Sequence, residues 1–180
     1  MEKNLTHIAL FAALIAVLGL LPKIDLMSGV PITAQSLGIM LCGTVLGARR
    51  GALAVILFLV LTAAGLPLLS GGRGGIGVFA GPSVGYLVGF PFAAFVAGWV
   101  MEHWRTSVLT AAFAGALLGG IVVLYAFGIP GMALILGKSL PEAALLATPF
   151  LAGDLIKCAL CALITRAIAQ MRPAALLSRA

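Results

Sequence analysis

The sequence predicts an all-α integral membrane protein of six transmembrane helices, and three observations carry that reading. Of its 180 residues, 62% are hydrophobic and only 9% are charged, where a soluble domain carries about 25% charged residues. The mean hydropathy is +1.21. Three charge-free runs, 51–72, 74–101 and 106–137, are each long enough for a bilayer-spanning helix of roughly 20 residues. The whole chain, 1–180, therefore reads as a single transmembrane domain, with no room left for a soluble catalytic or nucleotide-binding unit. The net charge of +6 does not point to nucleic acid, because the basic residues are scattered singly between the spans.

Charge, glycine and proline punctuate the spans. The first runs over about 5–21 and ends at Pro22, Lys23 and Asp25. It has no clean small-residue cleavage site followed by a polar region, so it reads as a helix rather than a signal peptide. The second covers about 33–48 and closes at Arg49 and Arg50. The third covers about 51–66 and ends at Gly65 and Pro67. Both are short, which suits tilt or a locally thin site. A glycine-rich loop, SGGRGGIGVFAGPS, follows at 70–83. The fourth span covers about 84–101 and the fifth about 106–127. The stretch GIPGMALILGKSLPEA reads as a re-entrant or interfacial piece, and the sixth span covers about 152–170 before a basic tail.

The distribution of Lys and Arg sets the orientation. With the N-terminus inside, the inner face holds seven basic residues: Lys3, Arg49, Arg50, Arg105, Arg166, Arg172 and Arg179. The outer face holds three, Lys23, Arg73 and Lys138. An N-in, C-in arrangement follows, with the glycine-rich loop between helices 3 and 4 on the extracytoplasmic side. Asp154, Lys157 and Arg73 then converge on one outer pocket.

Asp154 and Lys157, at i and i+3, share one helix face. Each charge costs about 2.5–3.5 kcal/mol at the membrane centre on insertion scales. They form either a mutual ion pair near the interface, with Gly153–Asp154 starting the helix, or a pocket offering a carboxylate and an ammonium to a polar ligand. The glycines around Arg73 allow close backbone approach, as a lid over a ligand or as a plain connection. Gln35 in VPITAQSL and Tyr86 in GPSVGYL lie at the outer ends of spans two and four, facing the pocket or the headgroups. In span one, Ala9/Ala13 and Ala12/Ala16 form small-xxx-small pairs that permit close helix approach, within the monomer or against another membrane subunit.

Several motifs carry nothing. GGRGGIG lacks the strand a dinucleotide fold requires. Gly137-Lys138-Ser139 would need a glycine at position 132 for a P-loop and has Met132. C-A-L-C sits in an apolar segment, so Cys158 and Cys161, like Cys42, read as small buried residues. His7 has no assigned role, and the N-L-T sequon at 4–6 falls on the cytoplasmic side. No Ser/His pair, Asp/Asp pair or metal-ligand cluster is embedded, which argues against an intramembrane enzyme and gives no metal site.

Four stretches resemble the BioY family, the biotin-specific substrate-binding components of energy-coupling factor (ECF) transporters. They are VPITAQSLGIML (30–41), LGARRGALAVILFLVLTAAGLPLLSGG (46–72), GPSVGYLVGF (81–90) and PFLAGDLIK (149–157). They occur in the family's order and extend over nearly the whole chain. One departure is Val84, where the family commonly has glycine in G-P-T-G-G-Y.

The resemblance implies a six-helix substrate-binding domain in the bacterial cytoplasmic (inner) membrane that takes up biotin with high affinity. It implies a transmembrane coupling subunit and two cytoplasmic ATPase subunits, which use the ATP. The chain itself then needs no cofactor and is not an enzyme. It further implies that the alanine-rich first helix docks the coupling subunit. Asp154 would accept a ureido N–H, Lys157 would donate to the ureido oxygen or the carboxylate, and Arg73 could balance the carboxylate. Phe79, Leu66 and Trp99 are candidate apolar walls. A stand-alone secondary transporter with Asp154 as a proton-coupling carboxylate is the alternative, and a homo-oligomer is conceivable for the chain alone.

Overall fold

The computed structural model describes residues 2–26 and 28–179, without the side chains of Glu2 and Lys3. The Lys3 counted toward orientation therefore lies outside the described side chains. Six helices build the molecule: α1 (Glu2–Leu18), α2 (Gln35–Leu46), α3 (Ala48–Ala63), α4 (Val84–His103), α5 (Val108–Leu136) and α6 (Leu140–Met171). Three of them, α4, α5 and α6, are long and apolar enough to cross a membrane. The first three have 17, 12 and 16 residues. There is no strand among the described residues, only two isolated bridges, Ile24 with Ile32 and Leu69 with Arg73.

Small residues set the packing. α4 is central and lies against α2, α3 and α5. Its Ala93, Ala94 and Ala97 are fully buried. A Cβ on Gly43 of α2 would strike Ala94 and Ala97, and one on Gly98 would strike the backbone of Gly47 and Ala48. A Cβ on Gly115 of α5 would strike the Ala97 carbonyl. In lipid, with little hydrophobic drive between helices, such close backbone approach supplies the van der Waals contact that holds them.

The re-entrant piece expected over 128–143 does not exist. Gly128–Leu136 continues α5, and α6 begins twelve residues before the expected start at 152. Gly128 and Gly131 do not break the helix. They are the flat spots on which the Tyr86 ring and the Gly85 backbone rest. Gly137, at φ +61°, ends α5, the left-handed position glycine favours after a helix. Ser139 then opens α6 with Glu142 three residues on, in capping-box spacing: the Ser139 Oγ and backbone N–H both donate to Glu142 Oε2, at 2.6 and 2.8 Å. Pro149, inside α6, cannot donate to Leu145, and Thr148 Oγ1 donates to that carbonyl instead, at 2.7 Å. Asp154 therefore sits mid-helix, and a helix cap at Gly153–Asp154 is ruled out.

The Val84 departure costs no strain. Ser83 is right-handed at φ −82° and Val84 is the first residue of α4. No non-glycine residue has a positive φ among the described residues.

The bundle end away from the glycine-rich loop is tied by the tail. Arg50 Nη2 donates to Leu177 O at 2.9 Å, and Ser178 Oγ to Thr44 O at 2.5 Å. Glu102 Oε1 accepts from Ala48 N at 2.9 Å and so caps α3. Just above, Thr44 Oγ1 meets Thr165 Oγ1 at 2.9 Å and Cys161 Sγ at 3.4 Å. All three cysteines are buried free thiols.

Gly98→Ala is expected to lower stability by about 1–3 kcal/mol, the range for overpacking, seen as a lower melting temperature in detergent. An unchanged melting temperature would mean that the α4–α3 approach is looser than described.

Candidate functional site

A cavity of about 70 Å³ opens among the helices at the glycine-rich end. Apolar walls come from Val30, Ile32, Leu69, Leu87, Phe90, Leu124 and Phe150, and Ser36 and Ser83 add hydroxyls. All five residues expected from the sequence to face a ligand, Gln35, Arg73, Tyr86, Asp154 and Lys157, line this one cavity.

The ion pair is central. Lys157 Nζ lies 2.9 Å from Asp154 Oδ1, with side-chain exposures of 14% and 8%. Helical spacing brings the two together, and neighbours complete them. Lys157 Nζ also donates to Ser36 Oγ at 2.9 Å, Ser36 Oγ donates to Asp154 Oδ1 at 3.4 Å, and Tyr125 OH donates to Asp154 Oδ2 at 2.9 Å. A buried charge pair is costly unless its remaining hydrogen-bonding capacity is met, and here three elements, α2, α5 and α6, meet most of it.

Two small loop hairpins form the roof. Ile24 and Ile32 exchange backbone hydrogen bonds of 3.1 and 2.9 Å, and Leu69 and Arg73 exchange bonds of 3.0 and 3.2 Å. The second hairpin turns through Gly71 and Gly72, at φ +79° and +69°, a left-handed pair that glycine adopts without strain. The Lys23 side chain packs directly over Gly71, so the two loops touch. Lys23 pairs with Asp25 at 2.7 Å. Arg73 Nε donates to Ser70 O at 3.3 Å, and the residue lines the cavity from the roof.

Gln35 and Tyr86 differ in what they still offer. Gln35 Nε2 donates to Ile15 O and Leu68 O at 3.2 and 3.0 Å, and its Oε1 accepts from Ser70 N at 3.1 Å. Both donor protons are thus used inside the chain, where they staple α1, the roof hairpin and α2 together. Tyr86, whose ring meets Tyr125 and Phe150 edge-on at 6.2 and 6.0 Å, keeps a buried hydroxyl with no protein partner.

The three apolar walls expected from the sequence do not line the cavity. Trp99 is half-exposed at the far end of α4 and stacks on His103 at 4.7 Å. Leu66 is exposed, and Phe79 packs against the core beside the loop. The sequence could not say which faces of these elements turn inward. It also passed over Ser36 and Tyr125. Ser36 adjoins Gln35, and Tyr125 is a polar residue within an otherwise apolar run. The alanine pairs of α1 separate: Ala12 is buried and Ala16 packs on the core, while Ala9 and Ala13 are exposed.

Apolar helices around a cavity that holds a buried ion pair with polar neighbours and some capacity left over define a membrane-embedded binding protein for a small polar solute. The family model described as the BioY family matches residues 2–174, and the chain belongs to that family. It is 52% identical to the biotin transporter BioY of Rhodobacter capsulatus, over 99% of this chain and 100% of that protein. It is 50% identical to the biotin transporter BioY of Rhizobium etli, over 92% of each chain. A crystal structure of the S-component for biotin from an ECF-type ABC transporter superposes with a TM-score of 0.89 at 32% identity, over 94% of this chain and 92% of that one.

Gln35→Leu leaves the Ser70 N–H and the Leu68 carbonyl without partners, while Ile15 O keeps the Gly19 N–H. Unpaired buried polar groups cost about 1–3 kcal/mol each, so the melting temperature is expected to fall. A variant as stable as the wild type would show that the staple contributes nothing.

Proposed function

We propose that this chain binds biotin and takes it up across the bacterial cytoplasmic membrane as the substrate-specific component of an ECF-type ABC transporter. It is a transport component and not an enzyme. The single observation that carries the reading is the Asp154–Lys157 pair within the apolar cavity, in a chain whose relatives are named biotin transporters. Biotin presents ureido N–H donors, a ureido oxygen, an apolar bicycle and tail, and a carboxylate. Asp154 accepts an N–H, Lys157 donates to the ureido oxygen, and the apolar walls take the bicycle and tail. Arg73 in the roof meets the carboxylate, with the free Tyr86 hydroxyl as a further polar group. Charge-assisted hydrogen bonds of this kind are strong in a dry site.

The cavity opens to the outside in this reading, with both termini in the cytoplasm. In support, Arg50, Arg105, Arg172 and Arg179 flank the tail-tied end, and Lys23 and Arg73 stand at the cavity end. Loops on the cytoplasmic side carry the excess of Lys and Arg. Energy comes from two cytoplasmic ATPases through a transmembrane coupling subunit, which docks on the exposed Ala9/Ala13 face of α1. Short α1, α2 and α3 cross the membrane with tilt or local thinning.

Equilibrium binding of biotin to the purified chain in detergent tests the substrate. Asp154→Asn and Lys157→Ala are each expected to weaken it at least tenfold, about 1.4 kcal/mol or more, with folding intact. Variants that bind like the wild type would make the pair structural, and no binding by the wild type would overturn the substrate.

The docking face has its own test. Ala9→Leu with Ala13→Leu is expected to abolish ATP-dependent uptake in cells expressing the whole transporter, while the purified variant still binds biotin. Normal uptake by the double variant would place the partner elsewhere.

A further inference from the structure

Tyr125 holds Asp154 from a helix whose geometry changes one residue earlier. α5 leaves the α-helical ladder over Leu118–Val123 and runs there as a π-helix. Such segments insert a residue into a turn and rotate everything downstream, and they occur frequently at functional sites. The Gly119–Gly120 pair seats this one: a Cβ on Gly119 would strike the Ala93 carbonyl, and one on Gly120 the Met40 side chain. Directly after it, Leu124 lines the cavity and Tyr125 OH donates to Asp154 Oδ2 at 2.9 Å.

A carboxylate accepts along about four lone-pair directions. Lys157 and Ser36 occupy those on Oδ1, and Tyr125 occupies one on Oδ2. A single direction remains for a ligand. We infer that Tyr125 is a specificity-determining positioning residue: by leaving Asp154 one free acceptor direction, it makes the site select a neutral cyclic urea over a cyclic guanidinium. The inference rests on the biotin reading above. A urea gives one N–H to Oδ2 and turns its oxygen to the Lys157 ammonium. A guanidinium has only donors, so after one N–H is met the others face that ammonium. Without the Tyr125 hydroxyl a second direction on Oδ2 opens. The guanidinium gains an acceptor, and the urea loses a carboxylate held in its orientation.

The test titrates the purified wild type and Tyr125→Phe with biotin and with its cyclic guanidine analogue at neutral pH, and records melting temperatures beside the affinities. Tyr125→Phe keeps the ring that meets Tyr86 edge-on. Biotin is expected to weaken at least about tenfold and the analogue less than about threefold, so the preference for the urea falls while the melting temperature holds. Unchanged biotin affinity, or loss of both ligands in equal proportion, overturns the inference alone. A wild type that binds neither ligand overturns the biotin reading and the inference with it.

Discussion

Burying a carboxylate and an ammonium in an apolar bundle costs several kcal/mol per ion after relaxation, and that cost organises the cavity half of this molecule. Their mutual contact of 2.9 Å recovers part of it. The rest must come from other donors and acceptors, placed on elements far apart in sequence. Ser36 comes from the first turn of α2, and Tyr125 from α5 just past its π segment. Moving either helix by a fraction of its pitch would strand a charge. The pair therefore fixes how α2, α5 and α6 stand relative to one another, and the small-residue seams on α4 let them stand that close.

An apolar pair of similar volume would often be as stable or more stable. Stability alone therefore does not account for the charges, and what they supply is a pattern of donors and acceptors beside a cavity. Arg73 and Tyr86 line the same space, and the Tyr86 hydroxyl is buried without a protein partner. Unmet polar capacity in an apolar enclosure is a standing cost that a complementary solute removes, and this connects the local chemistry to uptake.

The sequence carried the fold further than it carried the details of the site. Six helices, the glycine turn and the convergence of Arg73, Asp154 and Lys157 were legible, because hydropathy, charge and glycine placement encode them directly; for Gln35 and Tyr86 the sequence left pocket and headgroups both open. The start of α6 was misplaced because Gly153–Asp154 outweighed the capping box S-L-P-E at 139–142, and because Gly128, Pro130 and Gly131 read as breaks. In lipid, glycine and proline persist inside helices where neighbours and side chains satisfy the backbone, as Thr148 does beside Pro149. The π segment left no compositional mark beyond Gly119–Gly120, so the face on which Tyr125 emerges was not readable. Gln35 illustrates a different limit: a buried amide that staples loops looks the same in sequence as one that meets a ligand.

The two ends of the bundle are built differently, and this bears on transport. One end is roofed by two short hairpins that touch where Lys23 lies over Gly71. The other is closed by the tail, by Glu102 on the α3 terminus and by the Thr44–Thr165–Cys161 cluster in a fully buried layer. Opening the roof disturbs the contact of Lys23 with Gly71 and the hydrogen bonds of Gln35 to Leu68 and Ser70. Opening the opposite end would unpack the close glycine contacts of α4 and orphan buried hydroxyls. A solute therefore enters and leaves most cheaply through the hairpins, on one side only. A binding unit with one door can capture a solute, but it cannot by itself release it on the far side. The energy and the motion that complete the transfer must act on the bundle as a whole, and that favours a component driven by partners over a transporter complete in one chain.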